Sequence, residues 1–216
     1  MLIRSRVNHC QNPTGWLGRF VLRNMNARHS RVTDWGLSHV AIARNHSILD
    51  VGCGGGRTID KLAALATEGK VWGIDHSRES VAVATKINQA WIATGRVEIA
   101  EGSVSQLPFP ENVFDLVTAV ETHFWWPDLS AGMREILRVL RPGGKALIVA
   151  EVYRGAASKM SVLVEKYLPL SGMKLLTADQ HRELLANAGF SPVEIATDSH
   201  KGWIACVGSK PRPLDR

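Results

Sequence analysis

The chain has 216 residues, 45% hydrophobic and 21% charged, enough for one domain with a buried core and too few for two ordinary domains and a linker. No stretch approaches the roughly 20 apolar residues that span a bilayer, and the opening MLIRSRVNHCQNP has no apolar run behind its basic residues, so a membrane span and a secretory leader are not expected. Cys10, Cys53 and Cys206 are scattered without CxxC pairing, which argues against a disulfide framework or a zinc site and for a soluble protein of the reducing cytoplasm.

The net charge of +6 is confined to one end. Residues 1–45 hold seven arginines (Arg4, Arg6, Arg19, Arg23, Arg28, Arg31 and Arg44) and one acid, Asp34, whereas 46–216 is balanced at 19 basic and 19 acidic side chains. Within 1–45, TGWLGRFVLRNMN and VTDWGLSHVAIAR place apolar residues at helical spacing, predicting two short amphipathic helices.

From residue 46 short β-branched runs alternate with longer helical patterns. Strands are expected at 47–51, 70–74, 96–100, 114–120 and 145–151, with helices at about 57–68, 78–93 and 129–140. The third helix runs into RPGG, where Pro142 and two glycines turn the chain toward the next strand. Regularity weakens across 153–175, although KMSVLVEKYL is compatible with a helix. Thr177 reads as the N-cap of a helix closed by Gly189, and strands near 192–197 and 202–208 form a hairpin over DSHKG. The expected fold is α/β: a doubly wound, seven-stranded, mostly parallel Rossmann-like sheet with a C-terminal antiparallel hairpin and an N-terminal helical extension. Residues 1–45 would be a helical lid on the same domain, 46–210 its body and 211–216 a tail.

In ILDVGCGGG, residues 48–56, an apolar strand runs into Gly52, Gly54 and Gly56 before a helix. Glycine there lets the backbone turn tightly and exposes main-chain atoms to a ligand at the carboxyl end of a strand. The spacing is GxGxG, and no GK(S/T) follows, so a pyrophosphate ligand is disfavoured. An ordinary glycine-rich turn is the plain alternative. Asp75 ends the next strand, in VWGID, where one carboxylate can accept both hydroxyls of a ribose. It could equally cap the following helix, a role for which Ser77 is better suited.

These two motifs, followed in order by EGSVSQLPFPENVFDLV and LRPGGKALI, resemble the class I S-adenosylmethionine-dependent methyltransferase superfamily over residues 46–152, and within it the ubiquinone-biosynthesis-like group. The resemblance implies S-adenosylmethionine as cofactor and S-adenosylhomocysteine as product. It implies that Gly52 and Gly54 face the methionine part, Asp75 the ribose, and Ser103 with Val104 the adenine edge, with Asp50, His76 and Gly102 also on the cofactor side. Many relatives carry an acid where Ser103 stands. Phe114 and Val117 are assigned to the core.

By the same resemblance the acceptor meets the methyl group at AVETHFWWPD, residues 119–128. Transfer from a sulfonium is an in-line displacement for which positioning supplies much of the catalysis. If the acceptor must lose a proton, His123 is the candidate base, a packed or solvent-facing histidine being the alternative. Trp125 and Trp126 are candidates for the acceptor wall, Glu121 for the methionine ammonium or the substrate, and Tyr153 and Glu151 for the substrate side. NMNARHSRVTDWG, with Asn26, Arg28, His29 and Trp35, reads either as a lid touching the ligand or as a solvated charged face. A small-molecule acceptor is favoured: (N/D/S)PP(Y/F/W) is absent after strand four, as is a PC dipeptide. RNA held by the clustered arginines is the less favoured partner. A non-catalytic adenosyl-ligand binder and a nicotinamide oxidoreductase are alternatives from other classes. The acceptor atom and the oligomeric state are left open.

Overall fold

The computed structural model describes residues 29–213, apart from the side chains of 167–171. The expected helix over TGWLGRFVLRNMN, the arginines up to Arg28, Asn26 and Cys10 lie outside the described residues, as does the end of the tail at 214–216.

The strands are β1 (Ser47–Val51), β2 (Lys70–Asp75), β3 (Val97–Glu101), β4 (Phe114–Val120), β5 (Leu140–Ala150), β6 (Val193–Asp198) and β7 (Trp203–Ser209). They form one sheet in the order β3-β2-β1-β4-β5-β7-β6. The first five run parallel, and β7 is antiparallel to both β5 and β6. Side chains alternate across it as the strand period requires. Leu49, Val51, Val117 and Ile148 enter one buried cluster, while Ile48, Leu116, Leu147 and Val149 enter the other on the opposite face. Each such fully buried aliphatic side chain contributes about 1.5–3 kcal/mol.

The helices are α1 (29–37), α2 (Arg57–Leu65), α3 (Arg78–Ile87), α4 (Gln89–Ala93), α5 (Leu129–Val139), α6 (Lys159–Ser171) and α7 (Ala178–Ala188). Their starts follow the capping chemistry in the sequence. Ser77 accepts from the Ser80 amide, Asp128 from Ala131, and Thr177 with Gln180 closes a full capping box. α5 buries Gly132, Met133, Ile136 and Val139, one stripe at helical spacing.

Several boundaries differ from expectation for local reasons. The helix expected over 78–93 breaks at Asn88, whose Nδ2 donates to the carbonyls of Gly56 at 3.0 Å and Ala84 at 2.9 Å. This ties α3 to the glycine loop. α2 stops at Leu65, short of 68, because the Glu68 amide is bonded to the Arg44 carbonyl at 2.7 Å instead of to the helix. RPGG lies inside β5: the pairing with β4 jumps from Phe114↔Leu140 to Leu116↔Lys145, and Gly143 at φ 83 carries the bulge. Only the first part of VTDWGLSHVAIAR is helical, and α1 sits so close to β5 that a Cβ on Gly36 would lie 2.4 Å from Val149. KMSVLVEKYL falls within α6.

Candidate active site

The chain leaves β1 through three glycines of positive φ: Gly52 at 70°, Gly54 at 52° and Gly56 at 78°. The loop is pinned to β2 because the Gly52 and Cys53 amides both donate to the Ile74 carbonyl, at 2.8 and 2.9 Å. Two of these glycines serve different ends. A Cβ on Gly52 would lie 2.1 Å from Thr122 Oγ1, so close packing demands glycine there, whereas a Cβ on Gly54 would meet nothing within 4 Å and would project into open space.

That space is a cavity of about 370 Å³ at the carboxyl ends of the central strands, large enough for a nucleoside-sized ligand. Asp75 stands on its wall, nearly buried, held by the Gly54 amide on Oδ2 and the Ser77 amide on Oδ1, each at 2.9 Å. Each oxygen retains acceptor capacity toward the cavity. The carboxylate and the open backbone at Gly54 together suit an adenosyl ligand: a fixed acceptor for ribose hydroxyls beside main chain that a thioether or amino acid can approach. His76, Gly102, Ser103 and Val104 line the same cavity, as do Glu121, Trp125 and Trp126.

Four of the candidate site residues, Asp50, Tyr153, Glu151 and His123, do not line it. Asp50 pairs in register with Thr118, whose hydroxyl donates to its carboxylate at 2.6 Å. Burial raises the Asp50 pKa to about 7, the Thr118 hydrogen bond lowering it and the nearby Asp75 charge raising it further. Tyr153 is packed in the core beside Phe124 and Trp126.

His123, the expected base, is buried at 2% exposure away from the cavity. The short 3₁₀ turn His123–Trp125 rotates it inward and delivers Trp125 to the cavity. Its Nε2 lies 2.9 Å from Nε2 of His181 on α7. The His181 Nδ1 is 2.8 Å from the Thr177 carbonyl, which can only accept, so His181 carries its proton there and His123 donates through Nε2. The other nitrogen of His123 is then a buried lone pair without a partner. Burial lowers the pKa of both rings, His181 lowering that of His123 further and the Thr177 bond opposing the shift in His181. A neutral ring facing another histidine cannot take a proton from an acceptor in the cavity.

The structure adds residues that the sequence reading missed or left unassigned. Cys53 and Thr122 line the cavity, and so does His29 on α1, where the lid reading placed it. Cys53 sits inside the glycine loop, a signal that was available. Thr122 carried no such signal. Trp35 instead packs on His39 and Trp203, with centroids 4.8 and 5.7 Å away. At the far end Glu121, in the left-handed region at φ 58, accepts the Glu151 amide, and His29 Nε2 lies 3.5 Å from Glu151 Oε1.

The family model for a methyltransferase domain matches residues 49–148. The methyltransferase GfsG of Streptomyces halstedii is 31% identical over 173 residues, which are 79% of this chain and 62% of that protein. The methyltransferase YdaC of Bacillus subtilis is 29% identical over 192 residues, 88% of this chain and 96% of that one. The chain thus spans less than two thirds of the first and nearly all of the second. Among solved structures, a methyltransferase of Haloferax volcanii in complex with the Trm112 activator superposes with a TM-score of 0.74 at 21% identity, covering 88% of this chain and 94% of that one, which shows the shared fold. With the methyltransferase-domain match over residues 49–148 and relatives that are methyltransferases, the chain belongs to the class I S-adenosylmethionine-dependent methyltransferase superfamily.

Proposed function

We propose that the protein methylates a small molecule held between the glycine loop and the Trp125–Trp126 corner, with His29 and Thr33 of α1 bordering the cavity. The observation that supports this reading is one cavity lined by Asp75 and Gly54 together with Glu121, Trp125, Trp126 and His29. S-adenosylmethionine supplies an electrophilic methyl on a sulfonium; the residues of the chain bind, orient and exclude water. Asp75 takes the ribose hydroxyls, Gly52 and Gly54 admit the methionine part, and Ser103 with Val104 borders the adenine. His76 and Gly102 complete the cofactor side. Glu121 stands where an ammonium or an acceptor donor would be fixed, and the tryptophans supply flat apolar walls.

The role of His123 changes on this reading. It positions the turn carrying the tryptophans and moves no proton. Positioning alone accelerates displacement at a sulfonium when the acceptor is already a nucleophile. Buried, unpaired Cys53 and Cys206 are compatible with a reducing cytoplasmic setting, and no helix among the described residues is long and apolar enough to cross a membrane. Titration calorimetry with S-adenosylmethionine and S-adenosylhomocysteine, repeated on Asp75→Ala, tests the cofactor side. Micromolar binding lost in the variant is expected, and equal binding by both proteins overturns the assignment of Asp75.

A further inference from the structure

We infer that Lys174, in the linker between α6 and α7, is a positioning residue for methyl transfer that clamps the corner 124–127 and holds its tryptophans against the cavity. Trp125, Trp126 and Pro127 all line that cavity, and on the small-molecule reading, on which this inference rests, they are the wall an acceptor meets.

The corner has few means of holding itself. Glu121 leads into it at φ 58. The 3₁₀ turn His123–Trp125 is three residues long, closed by the Trp125 amide on the Thr122 carbonyl and the Trp126 amide on the His123 carbonyl, each at 3.0 Å. Such turns have poorer hydrogen-bond geometry than an α-helix and stay short. Trp126 then leaves in the extended conformation, at φ -66 and ψ 139, as the residue before a proline is driven to do. Pro127 has no amide hydrogen to donate.

Lys174 supplies the missing bonds from a distant part of the chain. Its amide donates to the Phe124 carbonyl at 2.9 Å. Its Nζ donates to the Trp126 carbonyl at 2.8 Å and to the Pro127 carbonyl as well. One lysine thus holds three carbonyls of four consecutive residues, and its ammonium bonds are charge-assisted, a type about twice as strong as neutral ones. The anchor is itself fixed, because Leu175 is buried and the Leu176 carbonyl accepts the Arg154 amide at 2.9 Å. On the ring side a Cβ on Gly132 of α5 would lie 2.7 Å from Trp126 Cε3. With Lys174 behind the backbone and Gly132 against the ring, the Trp126 slot is narrow, and a backbone shift at the corner has to move the wall.

The test labels the full chain with 5-fluorotryptophan and follows fluorine NMR of wild type, Lys174→Met and Lys174→Arg, with Trp125→Phe and Trp126→Phe assigning the two resonances. Thermal unfolding and S-adenosylhomocysteine binding are measured in parallel. Methionine keeps an apolar stem of similar length but cannot donate, whereas arginine keeps the donors. The Trp125 and Trp126 resonances are expected to shift or broaden in Lys174→Met while those of Trp72 and Trp91 stay in place, and Lys174→Arg is expected to restore the wild-type positions. Unmoved Trp125 and Trp126 resonances in Lys174→Met overturn the clamp, as does displacement of all the tryptophan resonances with loss of the folded state. Failure of S-adenosylhomocysteine to bind the wild type would instead count against the methyl-transfer reading, so the two failures are distinguishable.

Discussion

The His123–His181 pair makes the fold acid-sensitive, and replacing His123 by glutamine should remove part of that sensitivity. The sign follows from the depressed pKa of the buried ring. Above the unfolded pKa of about 6.5 both states hold His123 neutral and the pair contributes its full stability; below it the unfolded chain binds a proton that the fold refuses. Stability then falls by about 1.4 kcal/mol for each pH unit over which the folded ring stays neutral, or about 2 kcal/mol between pH 7 and pH 5 once the onset near 6.5 is included. The ring is 2% exposed, so solvent screening does not reduce this figure. Glutamine retains an amide donor for His181 Nε2 but cannot titrate. Urea unfolding at pH 7 and pH 5 should show wild type losing about 2 kcal/mol more than His123→Gln across that interval. Equal losses in the two proteins would refute the claim that a neutral, inward-facing His123 is part of the folded state.

Two glycine substitutions separate fold from ligand. Gly54→Ala costs about 1 kcal/mol for a left-handed alanine but meets no atom, so it should fold and yet bind S-adenosylhomocysteine at least tenfold more weakly in calorimetry. Gly52→Ala adds the clash with Thr122 and should lose about 2–4 kcal/mol in thermal unfolding before any ligand is added. Asp50→Asn tests a buried acid whose pKa is raised to about 7. Its protonated form is favoured in the fold, so stability is complete below the unfolded pKa near 3.9 and declines as pH rises toward 7. The ligand-free variant should therefore exceed wild type by up to about 4 kcal/mol at pH 8 and lose that advantage near pH 4. An unchanged melting temperature at pH 8 would count against burial of this carboxyl without a compensating positive charge.

The fold was legible because its signals are local. Alternation in the first four parallel strands, Ser77 and Thr177 as caps, and Gly189 as a helix end are each decided within a few residues, and each stands within a residue or so of its expected place. The misreadings are tertiary. Asn88 has an unremarkable helical context, and only its bond to the Gly56 carbonyl, across 32 positions, breaks the helix. RPGG looked like a turn, but pairing of the Gly143 amide with the Lys210 carbonyl holds it in the sheet.

The glycine-loop wall of the cavity was legible for the same reason: a strand, a glycine loop and an acid ending the next strand follow one another in the chain. The other end of the cavity brings His29 and Glu121 together with Glu151 beside them, positions with no sequence spacing to announce them. His123 shows the converse failure. Histidine at the end of β4 has the right chemistry at the right address, but a 3₁₀ turn advances the chain by about 120° per residue, so neighbours in HFW must face different ways. Once Trp125 occupies the cavity wall, His123 is turned into the core, where the histidine of α7 meets it. The titratable side chains that do converge at that end, Glu121 after β4, His29 on α1 and Glu151 after β5, come from three separate elements and lie within 4.8 Å of one another.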